Sequence, residues 1–254
     1  MMPDFFDQYL VYHPAPWVDR DWAQASRLPL EDVWFEADDG PRLFGWYVPA
    51  PSTTAVLLWC HGNAGNIIHR LDNLAELHRI GLSVFLFDYR GYGRSSGRPS
   101  EAGLYRDATA AYAHVAETRR IPPGRIVLFG RSLGAAIAGD LGSRRPAAGL
   151  ILESAFPSVE ALARAYYFGF PGHWFVAARF PLADRLKEIR MPVLVVHGDR
   201  DEVVPFELGR QVFEAAHEPK SFYAVPGADH NNLYAVGGAA YFRRLKQFVL
   251  GVLS

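Results

Sequence analysis

Four stretches of the chain, Ala55–Cys60, Leu82–Phe87, Arg125–Phe129 and Val193–His197, are almost continuously apolar and do not alternate with polar residues. A fifth, Gly149–Leu152, is shorter but similar. Strands covered on both faces in a parallel sheet have this pattern. Between these runs the apolar residues return at helical spacing. Leu71, Leu74, Leu77 and His78 precede Gly81, which stands where a C-terminal cap belongs. Leu104, Ala108, Ala111, Tyr112 and Val115 form a second apolar face, with Ser100 placed to cap its start. Two further helices are predicted near Phe206–Ala216 and Gly238–Leu250. The stretch Val33–Val48, with Asp39-Gly40 at its middle, predicts an antiparallel hairpin at the sheet edge. The alternation of strands and helices predicts an α/β fold, a mostly parallel central sheet with helices on both faces.

No internal repeat, low-complexity tract or Gly/Ser linker divides the chain, so residues 1–254 are expected to form a single domain. One interval breaks the rhythm. Ser154–Arg190 places 37 residues between two predicted strands, too many for an ordinary connection. It holds Phe156, Tyr166, Tyr167, Phe168, Phe170, Trp174, Phe175 and Phe180. The expectation is a small helical cap inserted at about 154–190, over the C-terminal ends of the strands. The alternative is a helix that packs on the body.

Composition narrows the function. The chain carries 26 Lys and Arg against 27 Asp and Glu, and pairs such as Arg119–Arg120, Arg144–Arg145 and Arg243–Arg244 are scattered. That distribution excludes a basic face of the kind nucleic acid requires. Cys60 is the single cysteine, so neither an intrachain disulfide nor a multi-cysteine metal site can form. No apolar run approaches the ~18 residues of a membrane span. Met1–His13 lacks the basic and apolar regions of a secretory signal, and a soluble cytoplasmic protein is expected. Nucleotide motifs fail as well: Gly91-x-Gly93 is followed by Gly97 one residue late for a dinucleotide fingerprint, and there is no Walker-type loop.

The strand Arg125–Phe129 runs into Gly130-Arg131-Ser132-Leu133-Gly134 and then the small residues Ala135–Gly139. G-x-S-x-G between strand and helix is a nucleophile elbow, which holds the serine on a strained turn at the positive end of the helix. A second match, Gly93-Arg94-Ser95-Ser96-Gly97, leads into Arg98-Pro99-Ser100 and lacks the strand-to-helix turn. It reads as a loop. Serine needs a base, and the base an orienting acid. His230 lies in a polar loop after the strand-like Ser221–Val225 and before the last helix. The strand Val193–His197 runs into Gly198-Asp199-Arg200-Asp201-Glu202, which offers three candidate acids. The order Ser132, acid, His230 suits this kind of fold. Oxyanion donors are expected from the backbone N–H of Leu133 and from the turn His61–Asn66.

With these residues the sequence resembles the α/β-hydrolase superfamily over nearly its whole length, and more narrowly the Bem-type and abhydrolase-domain serine hydrolases. The stretches that carry the resemblance are Val33-Trp34-Phe35, His61-Gly62-Asn63-Ala64-Gly65-Asn66, Phe87–Gly93, Gly130–Gly134 and Leu152-Glu153-Ser154. It implies Ser132 as nucleophile and His230 as general base. It also implies Asp201 as the acid, through the pattern H-G-x-x-D-x-x-V-P at His197–Pro205, and Asn63 as the second oxyanion donor. Asp199 is then a turn residue. Three departures are expected: Ala135 stands where relatives commonly have a glycine, and the chain is expected to lack the membrane helix and the cysteine-rich stretch that relatives carry ahead of a segment like Phe5–Pro14. Relatives that deacylate membrane proteins are therefore a poor guide to substrate.

The activity expected is hydrolysis of a small-molecule carboxylic ester or thioester through an acyl-enzyme on Ser132, without metal or organic cofactor. A peptidase or acyltransferase on the same triad, or a ligand receptor of this fold, are the alternatives. An epoxide hydrolase or dehalogenase would need aspartate at position 132, and a dienelactone-type enzyme cysteine; Cys60 reads as a buried small hydrophobe. Phe5, Phe6, Tyr9 and Leu10 form an apolar group with two alternative resting places, the body or a membrane surface, and the oligomeric state is left open.

Overall fold

The computed structural model describes residues 11–51, 55–166 and 177–253. The hairpin is β1 (Glu31–Glu36) and β2 (Arg42–Val48), joined through Asp39-Gly40. The continuously apolar runs form β3 (Val56–Cys60), β4 (Ser83–Asp88), β5 (Ile126–Arg131), β6 (Gly149–Glu153) and β7 (Val193–Gly198), followed by β8 (Lys220–Val225). Every residue of β3 through β7 is buried, which accounts for the absence of alternation. The eight strands lie in the order β1-β2-β4-β3-β5-β6-β7-β8. β2 pairs antiparallel with β1 and β4, and the other pairings are parallel.

The helices are α1 (Trp22–Ser26), α2 (Leu71–Arg79), α3 (Glu101–Ala113), α4 (Leu133–Arg144), α5 (Val159–Tyr166), α6 (Leu182–Leu186), α7 (Phe206–Ala215) and α8 (Leu233–Gly251). Successive strand residues point to opposite faces, so the sheet divides the interior into two layers. Val56, Leu58 and Cys60 pack with Leu104 and Ala108 of α3, Ile137 and Leu141 of α4, and Val212 of α7. Leu57 and Trp59 pack on the other side with Leu74 and Leu77 of α2 and Tyr241, Leu245 and Val249 of α8. Ser100 caps α3 by accepting from the Gly103 N–H at 3.2 Å. α8 begins at Leu233, five residues before the predicted start. Gly238, at φ +49° and ψ −138°, breaks it, and the sequence pattern predicts only the part after the break.

The interval 154–190 has two roles. α5 lies over the strand ends, whereas α6 packs on the body against α4, with Leu182 and Leu186 buried. Glu101 accepts the N–H groups of Arg179 (2.6 Å) and Phe180 (2.8 Å), fixing the return of the interval to the start of α3. Phe180 is fully buried against Tyr105, Phe156 is buried, and Tyr166 is 49% exposed. Tyr167, Phe168, Phe170, Trp174 and Phe175 lie outside the described residues, as do Phe5, Phe6, Tyr9 and Leu10. Among the described residues no helix is long and apolar enough to cross a membrane.

Candidate active site

Ser132 occupies the one-residue turn between β5 and α4, at φ +52° and ψ −119°. A non-glycine residue there stores about 1–3 kcal/mol of strain, which the surroundings must hold. They do so by contact. The Ser132 N–H donates to the Glu153 carbonyl at the end of β6, 2.8 Å away, and its carbonyl accepts from Ala135 N–H at 2.9 Å. A Cβ on Gly130 would lie 2.3 Å from the Gly134 carbonyl oxygen, and one on Gly134 would lie 2.0 Å from that of Cys60. Both glycines are therefore required by close approach of backbone. Ala135 is fully buried in this packing.

Three residues from three strand ends meet at this turn. His230 Nε2 is 3.1 Å from Ser132 Oγ, and His230 Nδ1 is 2.8 Å from Asp201 Oδ2. Nδ1–H donates to the carboxylate, which leaves Nε2 free to accept from the serine hydroxyl. Oδ1 of Asp201 accepts from Val203 N–H (2.9 Å) and Val204 N–H (2.6 Å), so both carboxylate oxygens have fixed partners. Burial pushes the Asp201 carboxyl up, but the hydrogen bond and charge of His230 and the Val204 N–H outweigh it. The carboxyl ends below its usual range. Asp199 instead accepts from Gly227 N–H in an exposed turn, and Glu202 is exposed. Of the three candidate acids, Asp201 is the one placed against His230. His197, in the same pattern, stays buried beneath it with Nε2 donating to the Val204 carbonyl at 2.9 Å; burial holds its pKa down.

The second G-x-S-x-G lies in a loop. Ser95 Oγ accepts from Phe44 N–H and donates to the Asp88 carbonyl, so its hydroxyl ties β2 to β4. Cys60 is buried, and burial drives its thiol up to about 12, which removes it as a nucleophile.

A cavity of about 390 Å³ opens on Ser132 and His230. Phe156, Val159, Leu162, Val203, Val204, Leu133 and Val11 make its apolar wall; Arg70, Arg131 and Asn231 are polar. Asn63 and Leu133 both line it, and among the described residues neither backbone N–H has a protein acceptor. Among the described residues no three His, Cys, Asp or Glu side chains cluster as metal ligands would.

Several parts of the site had no role in the sequence reading. The Asn63 side chain donates to the Val11 carbonyl and accepts from His13 N–H (3.2 Å) and Tyr92 OH (2.9 Å). It thereby straps residues 11–13 along the His61–Asn66 turn and brings Val11 to the cavity. Arg131, the variable residue of the elbow, reaches to the His230 carbonyl (Nη2, 2.6 Å) and Asn231 Oδ1 (3.3 Å). Its Nε lies 3.1 Å from Glu153, which is 1% exposed and accepts the Tyr241 hydroxyl. Glu153 lies within Leu152-Glu153-Ser154, one of the stretches that carry the family resemblance, and that is its signal in the sequence.

The Hydrolase_4 family, described as "Serine aminopeptidase, S33", matches residues 51–181. An uncharacterized protein of Mycobacterium tuberculosis is 40% identical over 228 residues, covering 89% of this chain and 81% of its own. Alpha/beta hydrolase domain-containing protein 17B of Homo sapiens is 34% identical over 233 residues, covering 90% and 79%. The solved structure of the Pyrococcus furiosus esterase Pf2001 superposes with a TM-score of 0.78 at 21% identity, covering 95% of this chain and all of that one. By sequence and by fold, the chain belongs to the α/β-hydrolase superfamily of hydrolytic enzymes.

Proposed function

We propose that this protein is a serine esterase acting on carboxylic esters or thioesters, in which Ser132 is the nucleophile, His230 the base and Asp201 its orienting acid. The observation that carries the reading is the unbroken hydrogen-bonded chain from Asp201 through His230 to Ser132 Oγ at the floor of a largely apolar cavity. As Oγ attacks the carbonyl carbon, its proton passes to Nε2, and the carbonyl electron pair moves to oxygen between the N–H groups of Asn63 and Leu133. Collapse breaks the acyl–oxygen or acyl–sulfur bond, and Nε2–H protonates the departing alcohol or thiol. Water then gives its proton to Nε2 and its oxygen to the acyl carbon, and Ser132 is restored as the carboxylic acid leaves. The ledger is one water consumed per bond cleaved, and no redox partner or metal enters it.

α5 serves as the cap of this single-domain enzyme, with Val159 and Leu162 facing the acyl group. A cytoplasmic setting suits the lone, buried Cys60. The aminopeptidase reading named by the family model has a specific difficulty. A peptide's N-terminal ammonium needs a carboxylate, and none of the described residues lining the cavity is Asp or Glu. The test is hydrolysis of p-nitrophenyl esters of two to sixteen carbons with Ser132→Ala alongside. Turnover in the native protein and a loss of about a million-fold in the variant is the expected result. Turnover that survives Ser132→Ala, or its absence in folded protein at every chain length, overturns the proposal.

A further inference from the structure

The cavity is asymmetric in charge. Apolar side chains make up much of the lining, and Arg70, Arg131 and Asn231 line it too, Arg131 within reach of both, with no acidic side chain among the described lining residues. Arg131 is compensated from behind by Glu153 at 3.1 Å. Arg70 is not. Its Nη2 donates to the Ala64 carbonyl, its Nε is buried with no hydrogen-bond partner, and among the described residues it forms no ion pair. Asp88, the first anion whose field reaches it, is buried and turned to Ile67 N–H (3.0 Å) and His61. Burial, then repulsion from Arg131, pulls the Arg70 pKa down to about 10, so the side chain is still charged at neutral pH.

A half-buried guanidinium without a counter-charge is costly unless a ligand supplies one. We infer that the substrate is an ester or thioester bearing an anionic group, a carboxylate or a phosphate, which Arg70 holds in the cavity while the apolar part lies toward α5. The inference rests on the esterase reading and adds the charge of the substrate to it. A guanidinium suits either oxyanion through paired N–H donors.

Three matched comparisons test it. p-Nitrophenyl hexanoate against p-nitrophenyl hemiadipate places a carboxylate in the acyl part. Propyl hexanoate against 2-(hexanoyloxy)ethyl phosphate, and against the hexanoyl ester of 3-hydroxypropanoate, place a phosphate or a carboxylate in the leaving group. At least tenfold higher kcat/KM for the anionic member of one comparison is expected, and that comparison identifies the anion and its side. Arg70→Gln should bring the ratio to about one, whereas Arg70→Lys, which keeps the charge, should retain part of it. Neutral esters preferred in all three, or a preference that survives Arg70→Gln, overturns the inference and leaves the esterase reading standing. If no ester turns over, the esterase reading falls first. Calorimetric titration of native protein and Arg70→Gln with glutarate and inorganic phosphate then decides the anion site: weaker binding in the variant supports it, and equal or absent binding overturns it.

Discussion

Asp201 determines which nitrogen of His230 carries the proton. Its carboxylate takes Nδ1–H at 2.8 Å and so leaves Nε2 as the acceptor for Ser132. In Asp201→Asn, Oδ1 can still accept from Val203 and Val204, but the amide N–H facing Nδ1 demands an acceptor there. The proton moves to Nε2 and no acceptor is left facing the Ser132 hydroxyl. Turnover on a p-nitrophenyl ester should fall about 10⁴-fold, the usual effect of this tautomer error. The same substitution has a pH signature. A carboxyl held below its usual value adds stability that is present above the unfolded pKa and lost as pH falls through the folded one. The gap in urea midpoint between native protein and Asp201→Asn should therefore be full at neutral pH and narrow below about pH 4. A gap constant with pH would mean that the ionised Asp201 carboxylate does not contribute. Ser132 and His230 stand out in the sequence because local backbone motifs surround them. Choosing Asp201 over Asp199 and Glu202 needed the spacing of a family pattern. Arg70 could not be read at all, since its meaning depends on which carboxylates fail to approach it.

At the scale of elements, the elbow is a three-way contact of β5, α4 and the exit of β3. Gly134 is its tightest point: a Cβ there would meet the Cys60 carbonyl at 2.0 Å and the His61 carbonyl at 2.5 Å, both backbone atoms that cannot swing aside. Gly134→Ala must push the His61–Asn66 turn away from Leu133. It should cost about 1–3 kcal/mol in denaturant unfolding. If Asn63 is an oxyanion donor, turnover should also drop by about 100-fold, since small displacements of catalytic groups are that expensive. Gly124→Ala, with nothing within 4 Å, is the control and should stay within about 0.5 kcal/mol of native. Stability lost without turnover would remove the β3 exit from the chemistry. The strands were placed to within two residues because burial on both faces leaves an unmistakable run. The last helix was not, because the break at Gly238 hides its first turn behind a second start. Nothing in the composition of His114–Thr118 announces that α3 widens there into a π-type turn.

Across the whole molecule, the site is held by contacts between residues far apart in the chain. Ninety-eight positions separate Ser132 from His230, and the sheet order that brings them together was not predictable strand by strand. One buried path joins the parts: Tyr241 on α8 donates to Glu153 at the end of β6, Glu153 pairs with Arg131 on the elbow, and Arg131 donates to the His230 carbonyl. Burial and the Glu153 carboxylate raise the Tyr241 hydroxyl well above its usual range, so it remains a donor at any working pH. Glu153→Gln leaves the Arg131 charge buried without its counter-ion and should cost about 3–5 kcal/mol of stability. Replacing both partners, Arg131→Met with Glu153→Leu, removes the uncompensated charge and should recover part of that loss, the rest being held back by the buried Tyr241 hydroxyl left without its acceptor. Recovery of stability need not restore the enzyme. The double variant still lacks the donor that fixes the His230 backbone. On a neutral ester its kcat should therefore stay about 10- to 100-fold low, with KM near the native value. A double variant that regains both stability and kcat would show that this path supports the fold alone. One that regains stability but not kcat would show that the elbow, through Arg131, also sets where His230 stands.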